Sequence, residues 1–239
     1  MLDFNRNIVF ILAVTLISFQ AKVFQYSHPK SPQAGQIIER SQYTLSYNCE
    51  HEQANWVSYV LERDEIMISR ERTNDFRSDT RVACQSAALQ DYKKSGYDRG
   101  HLCPAADSKI THESMSESFF MSNISPMLPN FNRNSWLKLE KQTREWAIEK
   151  DEIIVITGPV LKEGLSAIGT NRVSIPEYFY KILFCPVTLE YVAFLLPHSN
   201  TYIDYRRCNV SIDSIEAVTG IDFFPQSSIE ELEAQVFEW

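Results

Sequence analysis

Apolar residues in this chain recur at two spacings, and each spacing predicts a different kind of element. Short runs rich in β-branched and aromatic residues mark strands at residues 56–61 and 65–69, separated by charge. Stronger strand candidates follow at residues 152–160, 178–186 and 190–196. Within the first of these, Ile153-Ile154-Val155-Ile156 leaves no polar position for a solvent face, so that strand is expected to be buried on both sides. Over residues 133–150 the spacing changes. Trp136, Leu139, Thr143 and Trp146 recur at helical steps with charges between them, which predicts an amphipathic helix. Asn132 or Asn134 is suited to cap its start. A shorter helix is expected over residues 214–219, opened by an Asp213/Glu216 pattern resembling a capping box and stopped by Gly220. There is no internal repeat or low-complexity tract, and the expected architecture is mixed α+β around a central sheet.

The N-terminus departs from this pattern. After Asp3 and Arg6, residues 8–19 form a mostly apolar run too short to cross a bilayer comfortably as a helix and better suited to the core of a signal peptide. Cleavage after Ala21 would place Phe19 where a small residue is preferred, so an uncleaved anchor stays open beside a cleaved peptide. A polar, Pro-containing stretch at residues 27–36 then reads as a linker. The expected division is 1–21 as signal peptide or anchor, 22–42 as linker or N-terminal segment, and 43–239 as one folded domain. The protein is expected to be exported to the periplasm or medium, without a stable membrane partner unless the anchor is retained.

Composition narrows the function. At 239 residues and 44% hydrophobic, the chain is long enough for one substantial core. It lacks the glycine-lysine-serine/threonine loop of nucleotide-cradling enzymes and the glycine-x-serine-x-glycine elbow of esterases, which sets both classes aside. A formal net charge of -8 opposes nucleic-acid binding in bulk, so any such role needs a local basic surface. Arg70, Arg72, Arg77, Arg81, Lys93, Lys94, Arg99, Arg133, Lys138, Lys141 and Arg144 are candidates, while Glu230, Glu231, Glu233 and Glu238 collect at the far end. The five cysteines, Cys49, Cys84, Cys103, Cys185 and Cys208, allow at most two internal disulfides whose pairing the sequence does not reveal. None has Cys-x-x-Cys spacing, and His101 with Cys103 on one strand face is too few ligands for structural zinc.

The chemistry concentrates in Asp98-Arg99-Gly100-His101 and in the later stretch Asn132-Arg133-Asn134-Ser135-Trp136-Leu137-Lys138-Leu139-Glu140. Cutting a phosphodiester needs a water made nucleophilic, charge neutralisation at the phosphate and help for the departing oxygen. His101 is the best base available, since His28, His51, His112 and His198 lack a comparable neighbourhood. An amide oxygen at Asn132 with several waters suits Mg²⁺, which dehydrates reluctantly. On an ideal α-helix Glu140 would lie about 80° round and roughly 12 Å along from Asn132, so it would reach an ion's water shell rather than the ion. Alone, Asn132 also reads as a helix cap and Glu140 as a solvated surface residue.

Tyr97-Asp98-Arg99-Gly100-His101-Leu102, then Phe120-Met121-Ser122-Asn123-Ile124-Ser125-Pro126, then Asn132 through Glu140 resemble the DNA/RNA non-specific endonuclease family in order and spacing. The similarity runs from about Tyr43 through Thr157-Gly158-Pro159 to Phe223-Phe224-Pro225. It implies a ββα-metal fold, with a mainly antiparallel central sheet flanked by helices. His101 would end a strand and activate water, and Asn132 would bind Mg²⁺, or Mn²⁺, from the following helix. Glu140 would orient the metal's water shell, Arg72 would steady the scissile phosphate, and Asp98 and Arg99 would shape the histidine loop. Asn123 would hold the connecting segment. The implied activity is metal-dependent hydrolysis of DNA and RNA with little base specificity, leaving 5′-phosphates. Homodimers occur among such proteins, although no residue here marks an interface. Met127 and Arg133 stand where the family commonly has glutamine, and Cys103 where a small residue is usual. A chain that kept the fold as a nucleic-acid-binding or surface-interaction protein without catalysis is the competing reading, and a sugar- or structure-selective nuclease is a third.

Overall fold

The computed structural model describes residues 28–31, 35–225 and 239. The N-terminal apolar run and the acidic positions at Glu230, Glu231, Glu233 and Glu238 lie outside the described residues. The first elements are β1 (Gln36–Glu39), β2 (Thr44–Asn48), β3 (Gln53–Glu62), α1 (Arg63–Ile66) and α2 (Leu89–Tyr92). Next come β4 (Asp98–His101), α3 (His112–Glu117), β5 (Ile124–Met127), and a wide π-type turn, Phe131–Trp136, that runs into α4 (Leu137–Lys150). Then β6 (Glu152–Pro159), β7 (Ala167–Ile168), β8 (Val173–Ser174), β9 (Tyr178–Cys185), β10 (Glu190–Pro197), β11 (Asn209–Val210) and α5 (Ile212–Thr219) follow.

A seven-stranded sheet in the order β1-β2-β3-β6-β9-β10-β11 forms the centre, antiparallel at every pairing. Its middle strands are apolar on both faces because both are covered. On one side Trp136, Leu139, Trp146 and Ala147 of the long helix pack against Val57, Val155 and Leu183. On the other, Ile212 and Ile215 of α5 pack with Trp56, Ile154, Ile156 and Ile182. Full burial of side chains this size stabilises by about 1.5–3 kcal/mol each, so the helix that carries Glu140, with the turn before it that carries Asn132, is anchored by its apolar face. The architecture is α+β, as the periodicities predict.

Several expected details change. Residues 65–69 do not form a strand: Arg63–Ile66 is a short helix with acidic Asp64 and Glu65 in its first turn, where carboxylates favour a helix start. Asn132 and Asn134 do not cap the long helix, because the helical path already begins at Pro129 and Asn132 N donates to Leu128 O at 2.9 Å. The final helix starts two residues early, with Ser211 accepting from Ser214 N. Glu216 instead accepts from Phe223 N at 2.8 Å, and Gly220 closes the helix at φ 68°, a conformation that suits glycine. Cys49 and Cys84 form a disulfide, while Cys103 and Cys185 are buried thiols and Cys208 is half-buried.

Candidate active site

Four residues with little intrinsic strand preference, Asp98-Arg99-Gly100-His101, nevertheless form β4 by pairing with β5, His101 opposite Ile124 and Gly100 opposite Ser125. Gly100 lies within the strand, and a Cβ there would overlap the Met127 side chain. The buried Met127 therefore fills the space that the glycine leaves open. Beyond the strand, the Asn123 side chain clamps the chain in both directions: its Oδ1 accepts from Cys103 N at 2.9 Å and its Nδ2 donates to Cys103 O at 2.8 Å. Leu102 N donates to Asn123 O at 3.0 Å, and Trp136 Nε1 donates to His101 O at 3.4 Å. Strand pairing, the asparagine clamp and the helix thus all restrain the backbone around His101.

The His101 ring is enclosed by Phe76 and Phe119, with centroids 5.4 and 5.0 Å away. Two guanidinium groups lie over those rings, Arg99 at 4.1 Å from the Phe76 centroid and Arg72 at 4.9 Å from that of Phe119. His101 is buried, and its Nε2 has no hydrogen-bond partner among the described residues. Burial first, then the positive charges of Arg72 and Arg99, push its pKa down to about 3. The imidazole is therefore neutral at physiological pH, with an acceptor nitrogen available for a proton.

β4, β5 and the long helix together make a ββα unit. The connection after β5 is fixed by His198, whose Nε2 accepts from Leu128 N at 2.7 Å while Nδ1 donates to Pro176 O at 2.7 Å. His198 is structural, its ring edge-on to Phe131 and Phe179. The wide turn then brings Asn132 to Asp98. Asn132 Nδ2 donates to Asp98 Oδ2 at 3.1 Å, and Arg133 holds the same carboxylate through Nε at 2.8 Å and a terminal guanidinium nitrogen at 2.7 Å. Partial burial pushes the Asp98 carboxyl pKa upward, but the bonds from Arg133 and Asn132 outweigh it and hold the pKa below the usual carboxylate range. With the amide nitrogen committed to Asp98, Oδ1 of Asn132 is the end left to meet a cation. One amide oxygen and water fit Mg²⁺, and among the described residues no group of three or more His, Cys, Asp or Glu competes as a metal cage.

Glu140 sits on α4, half-buried, and burial lifts its pKa to about 7 against the opposing charges of Lys181, Arg144 and Arg72. Since Arg72 bears electrostatically on both His101 and Glu140, it joins the two halves of the site. The ideal α-helical projection between Asn132 and Glu140 does not apply, because Asn132 lies in the π-type turn, a feature often found at functional sites.

The sequence reading missed several neighbours. Lys181, fully buried at the centre of β9, lies 4.7 Å from the Trp136 ring centroid, and its Nζ has no hydrogen-bond partner among the described residues. Asp107 accepts from Arg144 at 2.8 Å and from Tyr59 Oη at 2.9 Å. A lone lysine inside Tyr178-Phe179-Tyr180-Lys181-Ile182-Leu183-Phe184 was the available signal, since a buried lysine is rare without a role. Part of the basic set is committed elsewhere: Arg70 to Lys109 O and Ile110 O, Arg77 to Asp75, Arg81 to Glu39 O, and Arg144 to Asp107. Arg72, Lys93, Lys94, Arg99, Lys138 and Lys141 make no ion pair among the described residues.

Comparison with known proteins places the chain in a family. A family model described as DNA/RNA non-specific endonuclease matches residues 20–228. Human mitochondrial endonuclease G is 32% identical over 211 residues, covering 81% of this chain and 71% of the relative. Nuclease C1 of Cunninghamella echinulata var. echinulata is 29% identical over 230 residues, covering 88% and 90%. A chain of the crystallised EndoG/EndoGI complex superposes with a TM-score of 0.74 at 26% identity, covering 82% of this chain and 88% of that one. The chain belongs to the DNA/RNA non-specific endonuclease family.

Proposed function

We propose that the protein hydrolyses phosphodiester bonds of both DNA and RNA in a Mg²⁺-dependent reaction with low sequence specificity, and that His101 is the general base. The observation that carries this reading is the unpartnered Nε2 of a neutral histidine held at the end of β4, the strand whose first residue, Asp98, orients the Asn132 amide. His101 Nε2 takes a proton from water as the water oxygen bonds to phosphorus. The bond from phosphorus to the 3′ oxygen breaks, that oxygen takes a proton from solvent to leave as a 3′-hydroxyl, and the other strand end carries the 5′-phosphate. Arg72, over the Phe119 ring, faces the charge that builds on the phosphate. The arriving phosphate offsets the positive field of Arg72 and Arg99, which raises the proton affinity of His101 when a base is required. A Mg²⁺ ion held by Asn132 would neutralise charge on the phosphate and the departing oxygen. Glu140 in its ionised form would accept hydrogen bonds from that ion's waters.

The Cys49–Cys84 disulfide supports export, since such bonds persist in oxidising compartments. Cleavage of a closed circular DNA and of a single-stranded RNA, with Mg²⁺ and with EDTA, tests the proposal. Metal-dependent cutting of both polymers is expected. Cutting of one polymer alone would make the protein a sugar-selective nuclease, and binding without cutting would make it a non-catalytic relative.

A further inference from the structure

We infer that a groove beside the catalytic histidine binds one unstacked nucleobase of the substrate strand, next to the phosphate that is cut; the inference rests on the nuclease reading. The groove encloses about 570 Å³, within the range of small-molecule sites, and ends at Asp98 and Asn132. It therefore abuts the reacting phosphate without including His101, Arg72 or Glu140. One wall is Leu89, Gln90 and Lys93, all exposed, and the other is Phe76 with Arg99 stacked over it.

Tyr92 also lines the groove. It is 6% exposed, and its hydroxyl is buried with no hydrogen-bond partner among the described residues. The hydroxyl is closed off from the groove, so Tyr92 shapes its floor from the core side, packed with Ala87, Met121 and Ile124. A phosphate would be served by Lys93, Arg99 and the Gln90 amide and would gain nothing from the exposed Leu89 or from the guanidinium stacked on Phe76. A base uses all of them: its face meets the guanidinium and the apolar side chain, and its edge meets the Gln90 amide. Within a duplex both face and edge are occupied, so the base must be unstacked.

The wall is built to persist without a ligand. Asp91 accepts from Ala88 N at 2.8 Å, from Asn171 N at 3.0 Å and from Asn171 Nδ2 at 2.9 Å. These bonds tie the short helix α2 to the loop that follows β7.

Fluorescence anisotropy in EDTA tests the inference without requiring turnover. The probes are a short single-stranded oligonucleotide and the same strand made abasic throughout, titrated with the whole protein, with L89A/Q90A and with Tyr92→Phe. The unaltered protein should bind the intact strand about tenfold or more tightly than the abasic one, the effect expected of a stacked base. Leu89 and Gln90 are exposed, so their replacement leaves the core intact, and this preference should largely disappear while affinity for the abasic strand is kept. Tyr92→Phe is the control: it removes a hydroxyl closed off from the groove, so the inference predicts that the preference for the intact strand is kept. Equal binding of both strands by the unaltered protein, or full preference in L89A/Q90A, would overturn it. Mg²⁺-dependent cleavage run in parallel separates the two ideas: cutting without base preference refutes the groove alone, and no cutting of DNA or RNA refutes the nuclease reading.

Discussion

Replacing Asp98 with alanine should weaken the response to Mg²⁺ far more than it weakens the fold. In the structure the carboxylate fixes which end of the Asn132 amide faces outward, through the 3.1 Å bond from Nδ2. A hydrogen bond to a charged group contributes about 1.5–3 kcal/mol, which biases the amide toward the productive orientation by roughly 10- to 150-fold. Without the bond the amide turns freely, and the Mg²⁺ concentration for half-maximal rate should rise about 10- to 100-fold, the usual cost of losing an orienting partner. Arg133→Ala is the control. Its side chain is 68% exposed, and its loss leaves the Asn132–Asp98 bond in place, so its half-saturation should move little. The assay is initial rate of plasmid nicking against Mg²⁺ concentration for the three proteins, with urea unfolding to check that each is folded. An unchanged half-saturation in Asp98→Ala, or an equal shift in Arg133→Ala, would refute the orientation argument.

Other consequences concern pH and stability. His101 has a folded-state pKa near 3 against the usual 6.5, so as pH falls below 6.5 the unfolded chain takes up a proton that the folded chain refuses. Stability should drop by about 2 kcal/mol between roughly pH 6.5 and 4.5 on this account, and His101→Gln should lose that part of the slope in urea titrations. Glu140, raised to about 7, should make the rate climb as pH passes through neutrality, and in Glu140→Gln this limb of the kcat/KM profile should flatten as the rate falls. The Cys49–Cys84 bond closes a separation of 35 residues, for which chain entropy gives about 4 kcal/mol. The double serine variant should show a loss of roughly 2–4 kcal/mol in denaturant unfolding, and an unchanged midpoint would count against the pairing.

The central strands and the long helix were legible because burial on two faces or one imposes a pattern that composition alone reveals. β1 and β2 were not, since Gln36–Glu39 is a four-residue edge strand with only two apolar positions and Thr44–Asn48 is short, with Ser46 and Asn48 buried. Their identity comes from pairing with β3, which no local signal encodes. The same holds for Asp98–His101, four residues made into a strand by β5 and visible in the sequence only through family resemblance. The error at residues 65–69 arose from three apolar side chains, Ile66, Met67 and Ile68, outweighing the acidic residues before them. In the site, residue types pointed to His101, Asn132 and Glu140. The enclosure by Phe76 and Phe119, the buried Lys181 and the groove wall on α2 depend on contacts distant in sequence and could not be read in advance.

The most direct test of the central claim is the rate of circular-DNA cleavage by His101→Ala beside the unaltered protein at saturating Mg²⁺, with circular dichroism to show that both are folded. A general base supplies about 10²- to 10⁴-fold, so the folded variant should lose activity by at least that lower factor. Normal turnover from a folded His101→Ala would contradict the account.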